Sequence, residues 1–260
     1  MTHVRELFDL RGRVAIVTGG GTGIGRQMAD GLAEAGASLV LCARKAERCE
    51  QAAAEIAEQR GVRALGLGCD VRDAEQVRTV VETSTRELGN VDILVNNAGT
   101  VWGASPEDMP LEGWQKVVDV NLTGVFLFAQ AAGRTMIERG DGGAIVNIAS
   151  VAGLQGGPPE IMNTVVYSAT KGGVISFSRD LACKWAQHGI RVNAIAPGWF
   201  PSDMSGYVLD RHADTLRRHI PLGRFGGPED LKGAVVFLSS PASAYVTGHT
   251  LVVDGGESAW

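Results

Sequence analysis

The chain has 260 residues, of which 45% are hydrophobic and 20% are charged, and its formal net charge is −5 at pH 7. This balance is typical of a globular protein and argues against a disordered chain or a coiled coil. The negative net charge argues against a general nucleic-acid binder, which should carry a basic face. The 35 glycines follow no collagen period, so we assign them to turns and to close approaches of the backbone.

The sequence contains neither an apolar N-terminal run nor a stretch of 18 apolar residues. We therefore expect no secretory signal and no membrane span, and hence a cytoplasmic protein. No C-x-x-C pair occurs, and the five histidines are scattered without ligand spacing, so we expect reduced thiols and no metal site. The four cysteines are Cys42, Cys49, Cys69 and Cys183.

Short apolar runs rich in β-formers alternate with longer helical patterns along the chain. The predicted strands cover residues 14–18, 38–42, 63–69, 92–95, 144–149, 191–196 and 250–253. The predicted helices cover about 23–35, 45–59, 73–88, 111–138, 165–187 and 228–239, with Asp73 and Pro228 as helix starts. Nearly continuous apolar strands are typical of a parallel sheet that is buried on both faces. The alternation therefore predicts one α/β domain over residues 1–260, with a doubly wound sheet and helices on both faces.

The segment 199–227 interrupts this alternation, because it combines Pro201, Pro221 and several glycines with a polar helical stretch. It leaves from the carboxyl end of a predicted strand. Ligands of doubly wound sheets bind outside that edge, so the segment is predicted to be a lid over the site.

A glycine-rich turn lies directly between the first predicted strand and the first predicted helix. Glycine lets the backbone approach a ligand closely, and a helix N-terminus offers free N–H groups to a pyrophosphate. This placement predicts dinucleotide binding by Gly19, Thr22, Gly23, Ile24 and Gly25.

The second strand is followed by Ala43, Arg44 and Lys45. A site that prefers NAD carries an acidic residue about 20 residues past the glycines, to accept from the ribose 2′-hydroxyl. A cation there suits a 2′-phosphate, so Arg44 and Lys45 predict NADP(H) binding. The alternative is a solvated arginine at a helix start.

Tyr167 and Lys171 are four residues apart on a predicted helix, so both side chains share one face. An ammonium beside a phenol should stabilise the phenolate and lower its pKa. The pair therefore predicts a general acid/base, although this spacing also occurs by chance.

Other polar and glycine-containing segments lie at the carboxyl ends of predicted parallel strands, which meet at one edge of the sheet. Ser150 follows one of these strands. Asn121 instead interrupts the apolar face of a predicted helix, and a buried Asn must be hydrogen-bonded. The other two segments at the carboxyl ends of strands are Asn97-Ala98-Gly99 and Pro197-Gly198.

Taken together, the chain resembles the one-domain short-chain dehydrogenase/reductases from about residue 10 to residue 256. The motifs that carry the resemblance are the glycine turn, Asn96-Asn97-Ala98-Gly99, Asn121, Ser150, Tyr167-x3-Lys171 and Pro197-Gly198. The resemblance implies a seven-stranded Rossmann-type sheet, a nicotinamide cofactor and a homotetramer.

The resemblance also implies the role of each residue. Tyr167 would be the proton donor, Ser150 would hydrogen-bond the substrate oxygen, and Lys171 would bind the nicotinamide ribose. Asn121 would hold a water in the proton relay. Asp70 and Val71 would approach the adenine, and Phe200 and Ser202 would lie at the nicotinamide end.

Two positions depart from the family pattern. Sixteen residues separate Ser150 from Tyr167, more than the family usually places there, and the extra residues should reshape a loop beside the substrate. Ser202 occupies the place of a family threonine that touches the nicotinamide amide, and it keeps the hydroxyl.

The sequence thus predicts an NADP(H)-dependent oxidoreductase acting on a carbonyl or secondary alcohol. Its branch resembles the 3-oxoacyl-thioester reductases and the gluconate 5-dehydrogenases. The alternatives are an NAD-dependent dehydrogenase of sugars or sugar acids, a non-catalytic dinucleotide sensor, and an interaction protein with a relic fold. We expect a small-molecule substrate, which the sequence does not identify, since a fold hosts many chemistries.

Overall fold

The computed structural model describes residues 2–260 and contains one parallel sheet of seven strands. The spatial order is β3-β2-β1-β4-β5-β6-β7, so the chain winds outward from β1 in both directions. The strands are β1 (Val14–Thr18), β2 (Ser38–Ala43), β3 (Ala64–Gly68), β4 (Val91–Asn96), β5 (Gly143–Ile148), β6 (Ile190–Pro197) and β7 (Thr250–Val253). This topology confirms the predicted doubly wound sheet, and it brings the carboxyl ends of β1, β4, β5 and β6 side by side.

Eight α-helices accompany the sheet within residues 2–260, and they cover both of its faces. Helices α1, α2 and α8 contribute to the core on one face, and α3, α5 and α6 contribute to the core on the other. The helices are α1 (Gly23–Glu34), α2 (Ala46–Arg60), α3 (Ala74–Leu88), α4 (Leu111–Val118), α5 (Gly124–Arg139), α6 (Val165–Trp185), α7 (Gly206–His219) and α8 (Lys232–Ser239). None of the helices in the described part of the chain is long and apolar enough to cross a membrane.

The strand β1 shows why the apolar runs are continuous. All five of its residues are buried. Ala15 and Val17 pack in the core beneath α1, whereas Ile16 packs in the core on the opposite face. Successive side chains of a strand point to opposite faces, so a strand between two helical layers needs apolar residues at every position.

Helix boundaries follow local hydrogen bonding. Asp73 caps α3 as predicted, since its carboxylate accepts from the N–H groups of Glu75 at 2.9 Å and Gln76 at 3.2 Å. The predicted start at Pro228 is wrong, because α8 begins at Lys232. The Asp230 carboxylate closes a separate turn before this helix by accepting from the Gly227 N–H at 2.6 Å.

The predicted helix over residues 111–138 is helical throughout, but it is not a single α-helix. It divides into α4 and α5, and a π-helical turn at Asp119–Thr123 joins them. Such turns inside helices occur frequently at functional sites. This turn contains Asn121, the polar residue that interrupted the apolar face in the sequence.

The predicted strand over residues 63–69 is also shorter, spanning Ala64–Gly68. In the segment 199–227, α7 forms the helical part, and the Gly226 N–H donates to the Trp199 carbonyl oxygen at 2.9 Å. This bond joins the two ends of the segment, so α7 and its flanking turns form a closed loop above the carboxyl edge of the sheet.

Candidate active site

A cleft of about 1220 Å³ opens along the carboxyl ends of β1, β4, β5 and β6. It contains nearly all of the predicted site residues, and the exceptions are Lys45 and the fully buried Asn121. The predicted residues that line it are Gly19, Thr22, Gly23, Ile24, Gly25, Arg44, Asp70, Val71, Asn97, Ala98, Gly99, Ser150, Tyr167, Lys171, Pro197, Gly198, Phe200 and Ser202.

The glycine turn is locked against the end of β4. Thr18 Oγ1 accepts from the backbone N–H groups of Asn97 at 3.0 Å and Ala98 at 2.9 Å, and Asn97 Nδ2 donates to the Thr18 carbonyl at 2.9 Å. A side chain at Gly25 would collide with the Gly19 carbonyl and with Asn97 Nδ2. Gly19 also has a φ of 66°, which favours glycine. The turn therefore has a fixed shape.

The N-terminus of α1 faces this turn, and its N-cap residue Thr22 makes no side-chain capping hydrogen bond. The first N–H groups of a helix have no partner within the helix, and the helix dipole favours negative charge there. The uncapped end of α1 therefore fits the pyrophosphate of a dinucleotide.

A second cavity of about 540 Å³ adjoins the outer side of the turn and is basic. Its charged lining residues are Arg44, Lys45 and Arg48. Sequence reasoning missed Arg48, although its spacing of four from Arg44 could have revealed it. Gly21 brings it close, because a Cβ at Gly21 would lie 3.2 Å from the Arg48 backbone. The three cations suit a phosphate group.

Asp70 and Val71 lie at the same end of the cleft. The Asp70 carboxylate binds the Arg72 guanidinium through contacts of 2.6–3.2 Å, and this lowers the pKa of Asp70. Arg72 also lines the cleft. Val71 packs against Gly124 at the start of α5, where a Cβ would lie 2.7 Å from a Val71 methyl group.

Tyr167 is half-buried at the start of α6, and its hydroxyl interacts with Ser150. Burial raises the pKa of Tyr167 above 10.0, and the Ser150 hydrogen bond opposes that shift. The expectation that a neighbouring ammonium lowers this pKa is wrong for this arrangement. The Lys171 Nζ lies 5.5 Å from the centre of the phenol ring, and desolvation of the phenolate dominates.

Lys171 is only 4% exposed, and its Nζ donates to the Ile148 carbonyl at 2.6 Å. Burial lowers the pKa of Lys171 from 10.5 to about 8. The ammonium is therefore held in place at the end of β5, one helical turn from Tyr167.

Asn121 lies behind these residues, and both N–H groups of its side-chain amide are used. Its Oδ1 accepts from the Thr100 N–H at 2.8 Å, and its Nδ2 donates to the Thr100 carbonyl at 2.9 Å and to Thr170 Oγ1 at 3.2 Å. These bonds tie the π-helical turn to the loop after β4 and to α6. The side chain thus positions the loop and α6, and a water could approach it only as a donor to its oxygen.

A chain of buried amides supports the floor of the site, and sequence reasoning did not identify it. Asn96 Nδ2 donates to Asn147 Oδ1 at 2.9 Å, and Asn147 Nδ2 donates to Ser178 Oγ at 2.9 Å. All three side chains are at most 2% exposed. Such fully satisfied networks fix the relative positions of the elements they join, here β4, β5 and α6.

The segment that follows β6 forms the remaining wall. Phe200 is 6% exposed and packs against Gly226, so a Cβ at Gly226 would collide with its ring. Ser202 Oγ lies 3.0 Å from Ser205 Oγ, and the Ser202 Cβ would lie 3.6 Å from a Cβ at Gly23. Ser202 therefore faces the glycine turn.

Three cysteines, Cys42, Cys49 and Cys69, lie in the core, and Cys183 is exposed. Within residues 2–260, no group of three or more His, Cys, Asp and Glu comes together where it could hold a metal ion.

Comparison with known proteins identifies the family. The family model described as "Enoyl-(Acyl carrier protein) reductase" matches residues 19–258. The chain is 41% identical to 2-dehydro-3-deoxy-D-gluconate 5-dehydrogenase of Escherichia coli, over 97% of this chain and 98% of that protein. It is 39% identical to 3-oxoacyl-[acyl-carrier-protein] reductase of Aquifex aeolicus, over 96% and 98%.

Among solved structures, gluconate 5-dehydrogenase from Burkholderia cenocepacia, in complex with NADP and tartrate, superposes with a TM-score of 0.93. The two chains are 39% identical, and the match covers 99% of this chain and 100% of that one. The chain therefore belongs to the short-chain dehydrogenase/reductase family. It is an oxidoreductase acting on CH–OH and C=O groups, as the sequence predicts.

Proposed function

We propose that the protein is an NADP(H)-dependent reductase of a carbonyl compound, and that it also catalyses the reverse reaction, the oxidation of a secondary alcohol. The observation that carries the cofactor assignment is the basic cavity of Arg44, Lys45 and Arg48 beside the glycine turn. A 2′-phosphate would accept charge-assisted hydrogen bonds there. The gluconate 5-dehydrogenase structure that the chain resembles holds NADP, which supports the same choice.

The residues of the cleft would hold the dinucleotide along the carboxyl edge of the sheet. The glycine turn and the uncapped end of α1 would receive the pyrophosphate, and Asp70 and Val71 would lie beside the adenine. Lys171 would bind the nicotinamide ribose, and Asn97, Ala98 and Gly99 would line its path. When bound, the nicotinamide supplies or accepts the hydride.

The chain itself handles the proton. Ser150 would hydrogen-bond the substrate oxygen, and the Tyr167 hydroxyl would give it a proton during reduction. The raised pKa of Tyr167 keeps the phenol protonated at neutral pH, which is the form that reduction requires. Because the side chain of Asn121 has no free donor, we assign to it the positioning of the Thr100 loop.

The test is the consumption of NADPH and of NADH in the presence of a panel of ketones and aldehydes. We expect turnover with NADPH and a higher kcat/KM for NADPH than for NADH. Cofactor binding without turnover on any carbonyl would favour a dinucleotide sensor. A preference for NADH would instead favour the alternative NAD-dependent dehydrogenase.

We further propose that the segment 199–227 acts as a lid. Met204 and Tyr207 line the cleft from this segment, and the bond between Trp199 and Gly226 closes its base. We expect hydrogen exchange in α7 to slow when NADP and an alcohol bind, more than exchange in β1. Equal protection in the free and bound protein would contradict a lid.

We also propose a homotetramer, built through the outer faces of α4, α5 and α6. Phe126 is 44% exposed and packs edge-to-face on Phe177 at 6.5 Å, and Leu111 is 78% exposed. Exposed apolar residues on neighbouring helices suit a two-fold interface. Light scattering should give four chain masses, and Phe126→Arg should lower the mass. A single chain mass for the unaltered protein would contradict this proposal.

A further inference from the structure

The part of the cleft beyond Tyr167 and Ser150 differs chemically from the dinucleotide part. Two segments form much of its wall, the loop at 151–165 and the start of the lid at 199–208. Neither segment contains Lys or Arg. Their apolar residues that line the cleft include Val151, Ile161, Met162, Trp199, Met204 and Val208.

The charges near this wall are acidic. Asp203 lines the cleft from the lid, where its carboxylate pairs with the Arg48 guanidinium at 3.6 Å, and Glu257 lines the cleft from the chain segment after β7. Glu257 Oε1 accepts from Trp199 Nε1 at 3.0 Å, and its other oxygen is buried without a partner. An anionic substrate would meet like charge at Glu257, whereas Arg48 partly offsets the charge of Asp203.

The cations of the cleft are placed elsewhere. Among residues 2–260, the basic side chains that line the cleft are Arg44, Arg72, Lys116 and Lys171. Arg44 lies in the phosphate cavity, and Arg72 is bound by Asp70. Lys171 is held at the Ile148 carbonyl.

Lys116 belongs to α4, and its ammonium lies 5.2 Å from the centre of the Trp102 ring. It is therefore engaged in a cation–π contact. Neither wall segment therefore supplies a cation to pair with a carboxylate or a phosphate of the substrate, and Lys116 faces Trp102.

From this distribution we infer that the substrate is an uncharged ketone, or the corresponding secondary alcohol, with a largely apolar body. The inference rests on the proposed function and refines its substrate class. It separates this chain from its relatives named for a gluconate or for an acyl carrier protein substrate. A carboxylate that leaves water without a partner carries a large desolvation cost, so the site should discriminate against it.

Carbonyl compounds that are matched in size isolate the effect of the charge of the substrate. With NADPH, kcat/KM is measured for ethyl 3-oxobutanoate, for 3-oxobutanamide and for the 3-oxobutanoate anion. The amide has the size of the acid without its charge. We expect kcat/KM for each of the ester and the amide to exceed kcat/KM for the acid by at least about 30-fold, which corresponds to about 2 kcal/mol. Erythrulose, an uncharged polyhydroxy ketone, should be poorer than the ester.

Two outcomes would overturn the inference while NADPH-dependent turnover remains. An acid that equals or exceeds the amide would show that the site accepts negative charge. Erythrulose as the best of the four compounds would show that the body of the substrate is polar. Absence of turnover with every carbonyl would overturn the proposed function as well.

A gain-of-function variant gives an independent readout. Met204 is 42% exposed at the rim, so Met204→Lys should fold and place an ammonium beside the substrate. We expect it to raise kcat/KM for the acid about tenfold relative to the amide. Leu154→Lys adds the same charge at an exposed residue of the other wall segment, the loop at 151–165, that does not itself line the cleft, and it should leave the ratio unchanged.

Lys116→Gln removes the one lining cation of residues 2–260 that contacts neither a carboxylate nor a backbone carbonyl and has no place in the phosphate cavity, since its ammonium lies over the Trp102 ring. We expect the ratio of acid to amide to stay within about twofold of the unaltered protein. A loss of acid turnover in Lys116→Gln would show that Lys116 is an anion ligand and would overturn the inference.

Discussion

Replacing the arginines of the basic cavity should change which nicotinamide the enzyme prefers. Arg44 and Arg48 line this cavity together, and the charge-assisted bonds of each to a 2′-phosphate would contribute about 1.5–3 kcal/mol when well formed. Both side chains are exposed, Arg48 by 52%, so solvent screening places them at the low end of that range.

We therefore expect Arg44→Ala and Arg48→Ala each to lower kcat/KM for NADPH by about tenfold, and the double variant by about 100-fold. The kcat/KM for NADH should change by less than about threefold, since NADH has no 2′-phosphate. Ala43→Asp combined with Arg44→Ala should shift the preference further toward NADH, because the carboxylate would repel the phosphate and accept from the ribose hydroxyl.

The assay is steady-state kinetics with both cofactors at two salt concentrations, since contacts between exposed charges weaken with ionic strength. Arg78→Ala is the matched control, because it removes one exposed positive charge from α3, outside both cavities. An unaltered enzyme that prefers NADH would refute the reasoning. So would an unchanged cofactor ratio in the double variant, because the arginines would then be merely solvated.

Two further outcomes follow from the shifted pKa values. Burial lowers the pKa of the Lys171 ammonium to about 8 in the folded protein. Between about pH 8 and pH 10.5 the folded protein therefore holds Lys171 neutral, whereas the unfolded chain still binds its proton. Loss of the buried charge removes its desolvation cost from the folded state over this range. The free energy of unfolding, measured by urea denaturation, should therefore rise over this pH range by up to about 3 kcal/mol relative to that of Lys171→Met. A difference between the two proteins that stays constant with pH would contradict the lowered pKa of Lys171. In the oxidation direction, activity should rise with pH as Tyr167 loses its proton, and Ser150→Ala should move that rise to higher pH because the Ser150 hydrogen bond lowers the tyrosine pKa. A pH–rate profile that keeps its midpoint in Ser150→Ala would separate Ser150 from the titration of Tyr167.

Much of the fold could be predicted from the sequence because its signals are local. The apolar run of β1, the glycines that follow it and the Asp73 cap are each contained in a few consecutive residues. The spacing of Tyr167 and Lys171 likewise sets their common face without reference to the rest of the chain. Parallel topology then brings these separate motifs to one edge of the sheet.

Other features depend on contacts between distant residues. The π-helical turn accompanies the bonds of Asn121 to Thr100, which is 21 residues away, so the helical periodicity of the sequence concealed it. The place of Arg48 in the phosphate cavity depends on the contact of its backbone with Gly21. The raised pKa of Tyr167 depends on burial, whereas the sequence showed only the neighbouring lysine.

Proton transfer by Tyr167 to a carbonyl oxygen is the central claim, and Tyr167→Phe tests it most directly. The binding of NADPH is measured by fluorescence titration, and hydride transfer is measured in a single turnover with the best ketone. We expect NADPH to bind with a Kd within about threefold of that of the unaltered enzyme, while the rate of hydride transfer falls by at least about 100-fold. A Phe variant that keeps both binding and turnover would contradict the account.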